Sequence, residues 1–428
     1  MEHGADTAGN GKSPTRTSRR MGARVTAAKV VNMKMKIAIA GAGIGGLSAA
    51  SLLAGDGHVV QVFDQFEAPR PVGSGLVIQP VGMEVLQACG AAEEALTRGT
   101  PILHMHGDEA RSRKVVLSVS YGATPQRQGL GIHRAALFTA LFEAAERAGA
   151  RITPSSPVTG RHGQHLLIGG RRTGPFDLIV DALGARSPLS PLKARALPYG
   201  AVWATVPWPE GAAFPRDHLT QRYRKADRML GILPIGTRRD APETRLAAVF
   251  YSLPVADIEQ HFARPFAQWR AEAAQLWPEF ESYLPAAFSH ADFTPAHYTH
   301  GTLRRPYGEG LVHIGDAAHR ASPQLGQGAN MALLDAHALH LALRGAQGRT
   351  EEALRHYALA RRAHVRLYQA FSAAFTPQYQ SDSAALPMLR DHVLAPLSRT
   401  WPLPRVLTRL VCGDLVPPMA ALTPRSRG

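Results

Sequence analysis

The sequence predicts an α/β protein, and three observations carry that expectation. Lys36-Ile37-Ala38-Ile39-Ala40 is a short apolar run suited to a buried parallel strand; it leads straight into Gly41-Ala42-Gly43-Ile44-Gly45-Gly46 and an Ala/Leu-rich helical stretch, Leu47 to Ala54. A strand, a glycine-rich turn and a helix recur from Gly310 to Ala336. Between the two lie strand-like runs such as Met229 to Leu233 and Leu246 to Tyr251, with a helical stretch from Val255 to Leu276. The chain is therefore expected to hold a Rossmann-type nucleotide-binding domain in two pieces, 36–195 and 305–345. Residues 196–304 are expected to form an inserted mixed β-sheet domain, and 346–428 a helical C-terminal region broken by prolines.

Each glycine of the first turn has a physical task. Gly41 permits the tight turn, Gly43 lets a pyrophosphate approach the backbone, and Gly46 lets helix and strand pack closely. Ile44 and Gly45 open the helix, whose unpaired N–H groups and positive dipole end suit phosphate. The next strand, His58 to Phe63, ends at Asp64, which lies 18 residues after Gly46 and is placed to accept hydrogen bonds from an adenosine ribose; Glu67 is the fallback. This motif alone does not separate FAD from NAD.

The second glycine segment decides between them. It reads Gly310-Leu311-Val312-His313-Ile314-Gly315-Asp316-Ala317-Ala318-His319, then Pro323, then Gly326-Gln327-Gly328-Ala329-Asn330 opening a helix. This pattern resembles the flavoprotein aromatic hydroxylases related to p-hydroxybenzoate hydroxylase, and the resemblance covers residues 36–345. It implies FAD, with Gly315 and Asp316 at the ribityl chain and Pro323 as a wall beside the isoalloxazine. Gly326, Gln327, Gly328, Ala329 and Asn330 would present N–H groups and a helix N-terminus to the flavin pyrimidine, where a reduced flavin carries negative charge. Gly131-Ile132-His133-Arg134 resembles the family's arginine over the FAD, so Arg134 is expected at phosphate or ribose. His319 is expected either to tune the flavin or to make a structural hydrogen bond, and His313 to be a plain strand residue.

Pro69 to Gly75 resembles the family's mobile flavin-carrying loop. Asp177 to Ser187 matches the family's Asp-Gly segment with two departures: Leu183 stands where an aspartate precedes the glycine, and Ser190 where a basic residue follows. The resemblance associates that aspartate with FAD and NAD(P)H. A second dinucleotide fingerprint is missing from the sequence, so NADPH or NADH is expected to bind transiently as electron donor. The implied reaction is a monooxygenation: NAD(P)H reduces FAD, O2 forms a C4a-hydroperoxide, and one oxygen atom passes to an aromatic or other electron-rich small molecule. The alternatives are a flavin reductase or dehydrogenase without oxygen transfer, or a non-catalytic flavin sensor. Trp203, Arg222, Tyr223 and Tyr251 are candidate pocket residues, and no catalytic acid or base is assigned. The Trp-x-Trp signature of flavin halogenases is absent.

Composition bounds the rest. The 428 residues, 45% hydrophobic and 19% charged, are enough for a large core. Apolar runs of bilayer length are absent, so stable membrane insertion is not expected. Cys89 and Cys412 imply neither a disulfide framework nor a metal site, which suits a reducing cytoplasm. The net charge of +15 suits anionic cofactors, and nothing indicates nucleic-acid binding. Residues 1–35 are basic, lack apolar periodicity and are expected to be a disordered extension: a transit peptide, a nucleic-acid tail, an inert tail or the product of a start upstream of Met33 or Met35. Leu386 to Val411 mixes apolar residues with Arg390, Arg399, Arg405 and Arg409; it reads as a packed helix with solvated arginines or as a basic amphipathic surface touching membrane.

Overall fold

The computed structural model describes residues 34–67, 74–122, 127–419 and 422; most of the expected N-terminal extension and residues 68–73 of the expected mobile loop lie outside them. Among the described residues a six-stranded sheet has the order β18 (Tyr307–Gly308), β19 (Leu311–His313), β12 (Leu178–Asp181), β1 (Lys36–Ala40), β2 (Val59–Phe63), β8 (Arg151–Thr153). All neighbours are parallel except β18 with β19. A parallel sheet needs cover on both faces, and the strands alternate accordingly. Ile37, Ile39, Val60, Val62, Leu178 and Val180 pack under α1 (Ile44–Gly55), α4 (Arg134–Arg147) and α7 (Gly328–Ala346). Ala38, Ala40, Phe63 and Ile179 pack under a three-stranded meander, β9 (Val158–His162), β10 (His165–Ile168) and β11 (Arg171–Thr173).

The second large sheet has eight strands: β20 (His319–Arg320), β17 (Thr294–Thr302), β13 (Arg195–Pro207), β16 (Ala241–Pro254), β15 (Arg228–Arg238), β14 (His218–Arg224), β5 (His104–Glu109) and β6 (Val115–Ser120). It is mixed, because β14 pairs parallel with β5 and the other neighbours run antiparallel. Here the structure corrects the sequence reading, which placed everything from 36 to 195 with the nucleotide fold. Residues 104–120 leave that fold and cover the edge of β14, whose N–H and C=O groups would otherwise be unpaired. A small sheet, β3 (Gly75–Ile78), β7 (Gly129–His133) and β4 (Thr100–Ile102), joins the two. α2 (Pro80–Ala88) and α3 (Ala92–Arg98) flank it.

The eight-stranded sheet has two different faces. One carries an aromatic core with α5 (Ile258–Ala263) and α6 (Phe266–Leu276), in which Trp269, Trp277, Phe280 and Tyr283 are fully buried. The other faces a cavity roofed by the C-terminal region. That region runs through α8 (Thr350–Tyr379), α9 (Ala385–Leu389), a π-helical turn at Arg390–Leu394, α10 (Ala395–Leu397) and α11 (Leu403–Cys412).

Candidate active site

The Gly41–Gly46 turn is built by contact. Gly41 has φ +102°, and a Cβ there would lie 2.5 Å from the Ala182 carbonyl oxygen, so the conformation and the space both require glycine. A Cβ on Gly46 would lie 1.9 Å from the Gly41 carbonyl oxygen, which is the close helix–strand approach. Gly45 packs against Ala332 of α7, and Ile44 is the first residue of α1. Gly43 is exposed and a Cβ on it would meet nothing within 4 Å, so this is the open side of the turn. Asp64 leaves β2 at the same place; its Oδ2 accepts from the Ala42 N–H at 2.6 Å and its Oδ1 from the Phe66 N–H at 3.0 Å. Glu67 is exposed. Free space at Gly43, the first turn of α1 and the carboxylate of Asp64 fit the adenosine and pyrophosphate of a dinucleotide.

The second segment meets Arg134 across the small sheet. Arg134 and Asp316 both have accessible surface, but it is surface of the cavity, and protein surrounds them. Burial pushes the Asp316 carboxyl above its ordinary range, opposed by His319, Arg134 and Arg320. Burial pulls the Arg134 guanidinium below its ordinary value, opposed by Asp316. Two charges held in one wall and steadied by each other are suited to the polar chain of a cofactor. Pro323, Gly326, Gly328 and Ala329 line the same cavity, and α7 begins there at Gly328.

Gln327 and Asn330 turn the other way. The Gln327 Nε2 donates to the Val411 carbonyl at 2.7 Å. Asn330 Nδ2 donates to Gly326 O at 3.0 Å and Val77 O at 3.2 Å, while its Oδ1 accepts from the Gln79 N–H at 2.8 Å. Their side chains latch the turn to β3 and to α11, while the Gln327 Oε1 is buried with no hydrogen-bond partner.

Beneath Asp316 lies a buried network that the sequence reading did not assign. The fully buried Asp335 Oδ2 accepts from Gly315 N at 2.8 Å and pairs with His319 Nε2 at 2.7 Å; its Oδ1 accepts from Arg361 Nε at 2.7 Å. Burial alone would raise this carboxyl, but His319 and Arg361 hold it down at about 2. Arg361 also donates to the Pro418 carbonyl and contacts His364. His319 is thus a structural partner that fixes the Gly315-Asp316 turn. The sequence signal was present: an aspartate inside the apolar run Leu333-Leu334-Asp335-Ala336.

His313 is more than a strand residue. Its Nδ1 lies 2.7 Å from Asp181 Oδ2, and Asp181 also accepts from Ser187 Oγ and the Leu183 N–H. Leu183 itself packs against the apolar cluster around Ala38 and Phe63, which explains an aliphatic residue at this position. Ser190 Oγ donates to the Ala317 carbonyl at 2.6 Å, which ties this segment to the Gly315-Asp316 turn.

From the wall of Arg134 and Asp316 the cavity, about 580 Å³, continues over the open face of the eight-stranded sheet. Strand alternation sorts the four candidate pocket residues. Trp203 and Tyr223 line the cavity, whereas Arg222 and Tyr251 point into the opposite aromatic core. Arg222 sits over the Trp277 ring at 5.3 Å, and Tyr251 meets Trp269 at 5.9 Å. Trp203 packs on Phe250 with centroids 4.4 Å apart and donates from Nε1 to the Tyr298 hydroxyl at 3.0 Å. Burial pushes the Tyr298 phenol up to about 12, so it stays protonated and remains a donor. Arg390, expected to be solvated, is instead 1% exposed and packs over the rings of Tyr223 and Tyr379. No metal-binding group of side chains occurs among the described residues, and no helix among them is long and apolar enough to cross a membrane.

Comparison with known proteins identifies the family of the chain. A family model described as "FAD binding domain" matches residues 34–165 and 232–372. A 3-amino-4-hydroxybenzoate 2-monooxygenase of Streptomyces cremeus is 27% identical over 355 residues, 77% of this chain and 83% of its own. A probable 2-heptyl-3-hydroxy-4(1H)-quinolone synthase of Rhodococcus erythropolis is 26% identical over 321 residues, 70% of this chain and 77% of its own. Among solved structures, a 2-methyl-3-hydroxypyridine-5-carboxylic acid oxygenase shares the fold with TM-score 0.72 and 21% identity, covering 90% of this chain and 98% of that one. Klebsiella pneumoniae HpxO, solved with FAD, does so with TM-score 0.70 and 20% identity, covering 89% and 100%. The chain therefore belongs to the FAD binding domain family, within the FAD-dependent monooxygenases related to p-hydroxybenzoate hydroxylase.

Proposed function

We propose that the protein uses NAD(P)H and O2 to insert one oxygen atom into an aromatic, predominantly apolar small molecule. The balance is NAD(P)H, a proton, O2 and the substrate C–H giving NAD(P)+, water and the hydroxylated product. One observation carries the reading: the wall holding Arg134, Asp316, Pro323 and Gly326 and the wall holding Trp203, Tyr223 and Phe250 enclose a single cavity. FAD held by Arg134, Asp316 and the turn at Gly326–Gly328 would supply the two-electron redox chemistry and the activation of O2. The related enzymes make or act on aromatic rings, as their names state, which fits an aromatic-lined chamber.

The chain's own residues have four tasks. The first turn of α7 stabilises negative charge at the flavin pyrimidine. Arg134 and Asp316 hold the polar chain of the cofactor. The Tyr298 hydroxyl, oriented by Trp203, offers a hydrogen bond to a substrate oxygen. The apolar sheet face and the helical roof exclude water, which protects an oxygenating site from wasteful loss of the activated oxygen.

The test is anaerobic mixing of the holoprotein with NADPH and then NADH, followed at the flavin absorbance band, with air then admitted in the presence of a phenolic and quinolone panel. Bleaching accelerated by one aromatic, with a hydroxylated product after reoxidation, is the expected result. Bleaching with no oxygenated product from any aromatic would make the protein a reductase. A flavin that neither nucleotide reduces would refute the NAD(P)H part of the proposal.

A further inference from the structure

Ten large apolar side chains are exposed among the described residues, and six of them fall between 388 and 406: Met388, Leu389, Val393, Leu397, Trp401 and Val406. A soluble surface scatters such residues singly; a cluster marks an interaction site. Leu389, Val393 and Leu397 recur every four residues, on α9, the π-helical turn and α10, and Trp401 follows in the turn before α11, so the apolar groups form one exposed stretch. Trp401 is 78% exposed, the most open of the ten. Arginines rim the stretch: Arg399, Arg405 and Arg409 are all exposed, and Lys114 reaches the same edge at 3.4 Å from His392. The inner side of these helices, with Leu394, Ala395, Ser398 and Leu410, is the roof of the cavity. A single helical layer therefore separates the stretch from the chamber.

We propose that this face docks on the surface of an anionic lipid bilayer. A tryptophan and aliphatic side chains in one stretch, with arginines beside them, is the chemistry of a segment lying in the headgroup region: the apolar groups enter the acyl boundary and the guanidinium groups meet lipid phosphates. A second copy of the chain fits less well, because a two-fold contact would set the same arginines against each other. The purpose of docking, supplying the cavity with an aromatic dissolved in the membrane, rests on the function proposed above. The docking does not, and it is measured without turnover.

The experiment is co-sedimentation of the full-length holoprotein with vesicles of phosphatidylcholine alone and of phosphatidylcholine with phosphatidylglycerol. Binding is expected only to the anionic vesicles and should weaken with salt. Leu397→Asp/Trp401→Ser and Arg399→Glu/Arg405→Glu should each lower partitioning by about tenfold or more while keeping their flavin absorbance. Three results would overturn the proposal. One is no binding to anionic vesicles at low salt. Another is full binding by the flavin-loaded Leu397→Asp/Trp401→Ser variant, which would assign adsorption to charge alone. The third is a lipid-free dimer that the same variant converts to monomer, which would show the stretch to be covered by a second copy.

Discussion

Replacing Asp335 by asparagine separates the support of the flavin site from the site itself. The substitution keeps the volume but removes the charge opposite Arg361, and the amide N–H2 then faces donors, because Gly315 N–H, His319 and Arg361 all point at this group. Arg361 is buried at 2% exposure, so it becomes an uncompensated interior cation, which costs about 3–5 kcal/mol. An independent figure comes from the carboxyl itself, held at about 2 against an ordinary 3.8, which corresponds to about 2 kcal/mol at neutral pH. A folded-state pKa below the unfolded one means the stabilisation is complete above pH 3.8 and is lost as pH falls towards 2. Asp335→Asn should therefore lose about 2–5 kcal/mol in urea unfolding at pH 7. It should show a shallower loss of stability through the acid window and release FAD on gel filtration, because Gly315 has lost the acceptor that sets its turn. Asp335→Asn/Arg361→Met removes the orphaned cation and should be less destabilised than the two single changes added. An Asp335→Asn protein within about 1 kcal/mol of the parent, and still yellow, would refute the reasoning.

Four further outcomes are expected. Gly46→Ala should unfold more easily and lose FAD, because its methyl group would overlap the Gly41 carbonyl, whereas Gly43→Ala should keep apoprotein stability and lose only FAD affinity; thermal melts with and without FAD distinguish them. Arg134→Ala should weaken FAD binding by about tenfold, measured by flavin fluorescence, with a flatter dependence on salt than the parent shows. Leu183→Asp should cost about 1–2 kcal/mol by placing a carboxylate against the apolar cluster and beside Asp181, without lowering the half-saturation for NAD(P)H; a lower value would show that the position binds the nucleotide. Trp203→Ala should enlarge the chamber and leave Tyr298 unoriented, so that product formed per NAD(P)H consumed falls; unchanged coupling would remove both residues from the substrate site.

What could be read from the sequence was local. Gly41, Gly43 and Gly46 act within six residues of one another, and each task follows from a turn, a ligand approach or a helix contact that the spacing itself implies. Asp64 needs only a strand of the right length to reach the Ala42 N–H. Legibility fails where a partner lies far along the chain. Asn330 meets Gln79 from 251 residues away, so its motif position could not show that its side chain is spent on the backbone of β3 and its own turn. Residues 104–120 look like any alternating strands, and only the open edge of β14 claims them for the second sheet. Arg390 reads as one more surface arginine until the rings of Tyr223 and Tyr379 close over it.

One contact links two parts of the molecule with different work to do. The Gln327 backbone caps the start of α7 at the cavity wall, while its side chain holds the Val411 carbonyl in α11. His364 and Tyr368 of α8 hold the neighbouring carbonyls of Gly413 and Leu410. The roof is thus clamped to the turn proposed to receive the cofactor, and loading FAD should slow amide exchange in the last turn of α11 as well as in the glycine turns. Lifting the roof would break these three hydrogen bonds, so a route into the chamber beside the roof disturbs the α7 turn less than one through it.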